Sequence, residues 1–280
     1  MHIQKVDTKA KTVNVFLFSD AHVGNRAAGE EELKRAINVI VDMSEKMQED
    51  GQAVGLYFLG DAIDAITISD KRFTHEAIAP WLLDGKGDFV KRQADKFVSI
   101  VKPAFQAADF SGFLEGNHEA KFKQKNDFDI GRYIADGLQT SFLGQEALVR
   151  VILESATARR AVDMYLAHGA VGGGWREGTA INALYDLSRY IDAEVYAMGH
   201  VHRLVFKYSD VVRMMKTGAL VSERKIYAVA GSFLKRYEEG VDGYMAGRRG
   251  EPVVFGAVWL QFALTSNSKQ LTKTAKIVEI

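Results

Sequence analysis

Five short polar segments of the 280-residue sequence carry residue types that bind metal ions. They are Asp20-Ala21-His22, Gly60-Asp61-Ala62-Ile63-Asp64, Gly116-Asn117-His118-Glu119, His168 and Gly199-His200-Val201-His202. Of the seven histidines in the chain, only His2 and His75 lie outside these segments. Because the chain has no cysteine, a metal site must be built from His, Asp, Glu and Asn side chains. Mixed imidazole and oxygen ligands suit first-row divalent ions such as Mn²⁺, Fe or Zn²⁺, and they disfavour Ca²⁺ or a site for Mg²⁺ alone.

Each polar segment, taken alone, has a simpler explanation. A single His after a strand is more often structural than a ligand, and Gly-Asp is common in turns. Gly-Asn-His can be a turn that uses the tolerance of Gly and Asn for positive φ. The two imidazoles of His-x-His also lie on one side of an ordinary surface strand. What favours a shared metal site is that all five segments occur in order, each at the end of a predicted strand.

The predicted strands bring the polar segments together. Apolar and β-branched runs predict strands over 12–18, 54–59, 110–114, 161–167 and 194–198. Helical spacing predicts helices over 30–48, 128–138 and 179–190, and residues 69–106 are expected to be mostly helical. The loops after the carboxyl ends of strands gather at one edge of an α/β sheet. We therefore expect the five polar segments to meet there.

The remaining elements define the fold class. Strands are predicted over 148–153, 204–208, 225–231 and 253–262, and no helix is predicted beyond residue 202. Alternating strands and helices followed by a run of strands predict a layered α/β fold. The sequence contains no repeat, low-complexity segment or convincing linker, which favours a single domain over residues 1–280. Residues 65–110 could form a helical excursion beside the site.

Charge and hydropathy bear on the class of partner. Lys plus Arg and Asp plus Glu both number 36, so the net charge gives no argument for nucleic acid or for a membrane. Residues 1–11 lack the apolar stretch of a signal peptide, and no run approaches the roughly 18 apolar residues of a membrane span. We expect a soluble, cytoplasmic protein with no membrane partner.

The ordered set of motifs resembles that of the calcineurin-like metallophosphoesterase superfamily. The motifs are Asp-x-His, Gly-Asp-x-x-Asp, Gly-Asn-His-Glu, His and Gly-His-x-His. The resemblance covers residues 20–202 and includes every signature block. It implies a β-sandwich flanked by helices, in α/β/β/α layers, and a hydrolase that uses two divalent ions on a phosphate ester. Because the superfamily is chemically broad, the resemblance does not identify one substrate.

The resemblance also assigns metal ligands. Those it implies are Asp20, His22, Asp61, Asn117, His168, His200 and His202. Asp61 would bridge the two ions, with Asp20, His22 and His202 on the first ion and Asn117, His168 and His200 on the second. We expect Mn²⁺, with Fe, Zn²⁺ and Ni²⁺ as alternatives. A hydroxide bridging the ions would then attack phosphorus in line.

Two catalytic roles follow from the same resemblance. His118 would protonate the leaving oxygen or stabilise the charged phosphorane, a contribution worth about 10²–10⁴-fold. Asp64 would keep His118 protonated and oriented; the alternative for Asp64 is the N-cap of a helix. Glu119 would orient its loop.

The substrate is less well defined by the sequence. Arg26 and Arg176 could contact it, although both positions are also compatible with solvated or flexible loops. Ala65 stands where the serine/threonine protein phosphatases of the superfamily carry an Arg, which argues against that activity. The pattern is most similar to phage-encoded and DNA-repair-exonuclease-like phosphoesterases. We therefore expect a phosphodiesterase or nuclease acting on a nucleotide or nucleic acid.

Two alternatives stay open. One is a small-molecule or protein phosphomonoesterase. The other is a catalytically silent metal-binding scaffold, although every implied ligand and His118 are present. Basic pairs at Lys235-Arg236 and Arg248-Arg249 could contact nucleic-acid phosphates. The lysines at 121, 123 and 125 are interpreted as a solvated face.

Overall fold

A computed structural model of the protein describes residues 1–67, 74–84, 87–155, 158–169, 177–215, 217–237, 251–265 and 271–280. The first six strands are β1 (His2–Thr8), β2 (Thr12–Phe18), β3 (Ala53–Leu59), β4 (Phe110–Leu114), β5 (Ser141–Phe142) and β6 (Glu146–Glu154). They are followed by β7 (Arg159–Ala167), β8 (Val195–Met198), β9 (Leu204–Met214), β10 (Leu220–Ala230), β11 (Gly256–Leu264) and β12 (Leu271–Glu279). The α-helices are α1 (Glu30–Glu49), α2 (Phe89–Ala107), α3 (Asn117–Lys125), α4 (Ile130–Leu138) and α5 (Glu177–Leu187).

The strands form two mixed six-stranded sheets. The order is β1-β6-β7-β8-β10-β9 in the first sheet and β12-β11-β2-β3-β4-β5 in the second. In the second sheet β2, β3, β4 and β5 run parallel, and in the first sheet β7, β8 and β10 do. The carboxyl ends of parallel strands therefore lie on a common edge of each sheet.

Alternating side chains on the strands create two apolar layers. In β2, Val13, Val15 and Leu17 face the space between the sheets, while Phe16 and Phe18 face the helices. A strand buried on both faces reads as a continuous apolar run, which is why β2 and β3 were predictable. The sequence prediction of a layered α/β fold is confirmed.

The helices cover the outer faces of the two sheets. On α1, Leu33, Ile37, Ile40 and Met47 are buried at helical spacing in the same core as the outer residues of β2 and β3. Helices α2 and α4 belong to the same layer. Helix α5 packs on the outer face of the first sheet through Leu184 and its neighbours. The layers thus run α/β/β/α.

The stretch from 65 to 110 is only partly helical where it is described. It contains a 3-10 turn at Pro80–Leu82 and the long helix α2. The N-cap of α2 is Asp88, whose side chain accepts hydrogen bonds from the N–H groups of Val90 and Lys91. Helix α2 continues through Pro103 to Ala107. No helix in the described part of the chain is long and apolar enough to cross a membrane.

Candidate metal centre

The five polar segments follow β2, β3, β4, β7 and β8 directly and are joined to one another by hydrogen bonds. The N–H of Asp20 donates to the carbonyl of Gly60 at 3.0 Å, and the N–H of His22 donates to the carbonyl of Asp61 at 3.1 Å. From the opposite sheet, the N–H of His200 donates to Asp20 Oδ2 at 2.8 Å. Loops from both sheets therefore converge on one place.

A first donor group consists of Asp20, His22 and His202, whose ligand atoms lie close enough together to hold one ion. Asp20 Oδ1 is 3.1 Å from His202 Nε2 and 3.7 Å from His22 Nε2. The two Nε2 atoms of His22 and His202 are 3.2 Å apart. Two imidazole nitrogens and a carboxylate oxygen thus point at a common position.

A second donor group consists of Asp61, His168 and His200. His168 Nε2 lies 3.2 Å from Asp61 Oδ2 and 3.3 Å from Asn117 Oδ1, so Asn117 adds an amide oxygen to the group. His168 Nδ1 donates to the carbonyl of Leu59 at 2.8 Å. Because a carbonyl only accepts, Nδ1 carries the proton and Nε2 is the nitrogen available for a metal ion.

Asp61 connects the two donor groups. Its Oδ2 is 3.2 Å from His168 Nε2 in the second group and 3.9 Å from His22 Nε2 in the first. Asp61 Oδ1 accepts a hydrogen bond from the N–H of His118 at 3.0 Å, which fixes the orientation of the carboxylate. One carboxylate is therefore shared between two adjacent sets of donors.

The donor set fits a bound cation. Asp20 is fully buried, and Asp61, His22 and His168 are nearly so. Asp20 Oδ1, which lies beside the Nε2 atoms of His22 and His202, is a buried atom that forms no hydrogen bond within the described residues. A buried carboxylate oxygen of this kind is costly unless it is partnered, and a cation would supply the partner. These buried Asp and His residues could hold a metal ion.

Backbone strain is concentrated in the same residues. Seven non-glycine residues of the described chain have positive φ, and five of them are Asp20, His22, Asp61, His200 and His202, at φ of 47 to 70°. A non-glycine residue in this region costs on the order of 1–3 kcal/mol and persists only where its surroundings hold it. The strained residues are thus the Asp and His donors at the strand ends.

Three glycines leave the space that the donors occupy. A Cβ on Gly60 would lie 2.5 Å from His168 Nδ1, and one on Gly116 would overlap Asp61 Oδ1. A Cβ on Gly199 would overlap Ser19 Oγ and lie 2.8 Å from Asp20 Oδ2. Each glycine is thus required for close approach of backbone to a predicted ligand.

Glu119 ties two of the polar segments together. Its fully buried carboxylate accepts hydrogen bonds from the N–H groups of Gly116 (2.8 Å), Asp61 (3.2 Å) and Ile63 (3.1 Å). Burial, and next the nearby Asp61 carboxylate, raise the pKa of Glu119. The contacts agree with the expected role in orienting the loop.

His118 and Asp64 form a pair beside both donor groups. Asp64 Oδ1 lies 3.4 Å from His22 Nδ1, and His118, His22 and Asp61 form a third set of donors close enough together to hold an ion. His118 Nδ1 lies 3.2 Å from Asp64 Oδ1 and 2.9 Å from the Asp64 carbonyl oxygen, and His118 Nε2 lies 3.9 Å from Asp61 Oδ2. Asn25 Nδ2 donates to Asp64 Oδ2 at 2.9 Å. Asp64 caps no helix among the described residues, so the alternative N-cap role is not observed. Asn25 is itself buried.

The electrostatics of the cluster follow from burial and opposite charges. Burial alone would lower the pKa of His168, but the Asp61 carboxylate outweighs it and raises that pKa to about 9. Burial would likewise raise the pKa of Asp61, yet the charges of His168 and His118 bring it well below its usual range. Burial lowers the pKa of both His200 and His202. Without a bound ion, an ionised Asp61 therefore lies beside a protonated His168 and the neutral His200 and His202, and metal ligation by His168 requires the loss of its proton.

The expected substrate contacts are less well supported. Arg26 is exposed, and its backbone N–H donates to the carbonyl of Ala77. Arg176 lies outside the described residues, as do Arg248 and Arg249. Lys235 pairs with Glu32 at 3.7 Å.

One loop at the site was missed from the sequence. After β10, Ser232 Oγ donates to the carbonyl of Asp20 at 3.1 Å, and the N–H of Phe233 donates to the same oxygen at 2.9 Å. These two hydrogen bonds hold the backbone carbonyl of the strained Asp20 in place. The Gly231-Ser232 pair at the end of a predicted strand was the available signal.

No model of a known protein family matches the chain, and no curated protein matches its sequence.

Proposed function

We propose that the protein is a phosphoesterase that depends on two divalent metal ions and hydrolyses phosphodiesters. The observation that carries this proposal is the position of Asp61 Oδ2, 3.2 Å from His168 Nε2 and 3.9 Å from His22 Nε2. A carboxylate between two sets of imidazole and oxygen donors is the arrangement that a dinuclear hydrolytic centre needs. The motif resemblance supports the same reaction.

The residues divide into two ligand sets under this proposal. Asp20, His22 and His202 would hold the first ion and His168, His200 and Asn117 the second, with Asp61 common to both. Two divalent ions, when bound, would polarise the phosphoryl oxygens and favour attack by water. We propose Mn²⁺ in both positions; Fe, Zn²⁺ and Ni²⁺ suit the same ligands.

His118 would act as the general acid. Its Nδ1 faces two oxygen acceptors of Asp64, so the proton on that nitrogen is fixed and Nε2 is directed to the side of Asp61. Burial lowers the pKa of His118, but the charges of Asp61 and Asp64 outweigh it, so that the pKa is raised. A protonated Nε2 could then deliver its proton to the leaving oxygen.

A phosphodiester is proposed as the substrate because the site lacks the Arg that a protein phosphatase would use. Ala65 occupies that position, is buried in the core and has φ of 50°. A nucleotide or nucleic acid is the proposed source of the diester. A phosphomonoesterase and a silent metal-binding scaffold are the two alternatives.

Metal analysis combined with two chromogenic substrates separates these functions. The protein is loaded with Mn²⁺, Ni²⁺ or Zn²⁺ and assayed on bis-p-nitrophenyl phosphate and on p-nitrophenyl phosphate. We expect hydrolysis of the diester and a loss of more than about 100-fold in Asp61→Asn. Asp136→Asn, at an exposed position of α4, is the matched control and should be unaffected.

Each alternative predicts a different result. Hydrolysis of the monoester alone would contradict the phosphodiesterase proposal but retain the metal chemistry. Metal binding without hydrolysis of either ester, with all three metals, would favour the scaffold. Failure to bind any divalent ion would overturn the proposal entirely.

A further inference from the structure

The peptide unit that joins Asp64 to Ala65 is hydrogen-bonded on both sides. Its carbonyl oxygen accepts from His118 Nδ1 at 2.9 Å. Its N–H, on Ala65, donates to Gln93 Oε1 at 3.0 Å. Since a peptide unit is planar and rigid, a side chain of helix α2 is linked to the imidazole of His118 through a single plane of atoms.

Gln93 is an unusual residue for its place in α2. It is fully buried and lies on the apolar face of the helix with Val90, Ala94 and Phe97. Its Nε2 forms no hydrogen bond within the described residues. An unpaired buried donor costs stability that an apolar side chain would not lose. The hydrogen bond that Oε1 accepts from Ala65 therefore explains why an amide side chain occupies this buried position.

The local backbone is built around this contact. Ala65 has φ of 50°, a left-handed conformation that a residue with a Cβ adopts only when it is held. Gly24, from the loop after β2, leaves the space for the Gln93 side chain, because a Cβ there would lie 2.5 Å from Gln93 Cδ. Gln93 thus holds a strained turn that carries Asp64.

We propose that Gln93 is a positioning residue for His118. Through the Asp64–Ala65 peptide it keeps the carbonyl of Asp64 pointed at Nδ1, so that Nδ1 carries the fixed proton and Nε2 faces the substrate's leaving oxygen. A peptide whose N–H is hydrogen-bonded also has a more strongly accepting carbonyl. Asn25, which donates to Asp64 Oδ2 at 2.9 Å, holds the carboxylate of the same residue. This inference rests on the proposed function of His118.

The Nδ1–H proton of His118 gives a test that does not depend on activity. In the Zn²⁺-loaded protein, imidazole NMR should show an Nδ1–H proton that is protected from exchange with water, and its signal should be absent from His118→Asn. Gln93→Met removes the acceptor at nearly constant volume and should weaken that protection. Gln93→Glu keeps an acceptor oxygen and should retain it. Unchanged protection in Gln93→Met, or equal losses in the two variants, would overturn the proposal.

Leaving-group dependence separates positioning from a general structural defect. Gln93→Met should slow hydrolysis of diesters with poor leaving groups about tenfold, the scale of one hydrogen bond, with little change for bis-2,4-dinitrophenyl phosphate. The same change should have no further effect in a His118→Asn background. Gln106→Met, at an exposed position of α2, is the matched control.

The two tests fail separately. Equal slowing of all esters, or additive losses in the double variant, would contradict a role through His118. If the wild-type protein hydrolyses no ester, the proposed function fails, and the Nδ1–H measurement still decides whether Gln93 sets the imidazole.

Discussion

A methyl group at Gly199 should disturb the first donor group more than the second. The Cβ of Gly199→Ala would overlap Ser19 Oγ, which donates to Asp20 Oδ2 at 2.5 Å, and would itself lie 2.8 Å from that oxygen. The closest contacts of this Cβ thus involve Ser19 and Asp20, and Asp20 belongs to the first donor group. Its third neighbour is the Leu59 carbonyl oxygen, at 2.9 Å, which accepts from His168 of the second group. We therefore expect greater damage at the first metal position than at the second.

The magnitude follows from the cost of overpacking. Inserting a methyl group into a packed site costs about 1–3 kcal/mol. If that cost falls on the geometry of Asp20, affinity for the first ion drops by about 5- to 150-fold. Gly178→Ala, at a position where an added Cβ meets nothing within 4 Å, provides the matched control.

Isothermal titration with Mn²⁺ measures the effect, and urea unfolding reports whether the fold persists. The wild type and Gly178→Ala should bind two ions per chain, and Gly199→Ala should weaken one site more than the other. Two unchanged sites in Gly199→Ala would refute the assignment of Asp20 to a metal position. Equal weakening of both sites would refute the division into two donor groups.

Three further changes test other parts of the site. Glu119→Gln removes a carboxylate that accepts three backbone hydrogen bonds, so the free energy of unfolding in urea should fall by about 1–3 kcal/mol; no change would contradict its loop-tying role. Because the pKa of His168 is raised to about 9 and a ligand must be neutral, metal binding at pH 7 should release protons and weaken as the pH falls; calorimetry in two buffers that shows no proton release would refute this. His118→Asn should leave metal content intact and reduce turnover of bis-p-nitrophenyl phosphate by about 10²–10⁴-fold, and retained turnover would contradict the acid role.

The strands that carry the site were predictable because they are buried on both faces. Runs such as Thr12–Phe18 are almost wholly apolar, and each ends at a polar segment. Strand β1 was missed because it lies at the edge of its sheet, where alternate residues are exposed and polar. Strand β12 has the same position in the other sheet. An edge strand lacks the apolar signal that burial imposes.

Helix α3 was missed for a different reason. It begins at Asn117, inside a Gly-Asn-His sequence that favours a turn. Its buried residues are only Glu119, Ala120 and Phe122, so the helix has a weak apolar periodicity. Without this helix, the three hydrogen bonds of Glu119 could not be foreseen. The three-residue spacing between Gly116 and Glu119 is nevertheless that of a capping box, and it can be read from the sequence.

The supporting residues depend on contacts that no local pattern encodes. Gln93 falls on the buried face of a predictable helix, and a polar residue on that face was a signal for a special role. Its partner, the N–H of Ala65, is 28 residues away and takes a strained backbone conformation. Residue type and order predicted which Asp and His side chains meet at the strand ends, but the hydrogen bonds that orient each side chain required the tertiary structure.

The bridging role of Asp61 is the centre of this account, and electron paramagnetic resonance of the Mn²⁺-loaded protein tests it most directly. At two equivalents of Mn²⁺, the wild type should give the multiline spectrum of an exchange-coupled pair of ions, and Asp61→Asn should lose it. Spectra of isolated, uncoupled Mn²⁺ ions in the fully loaded wild type would contradict the shared carboxylate.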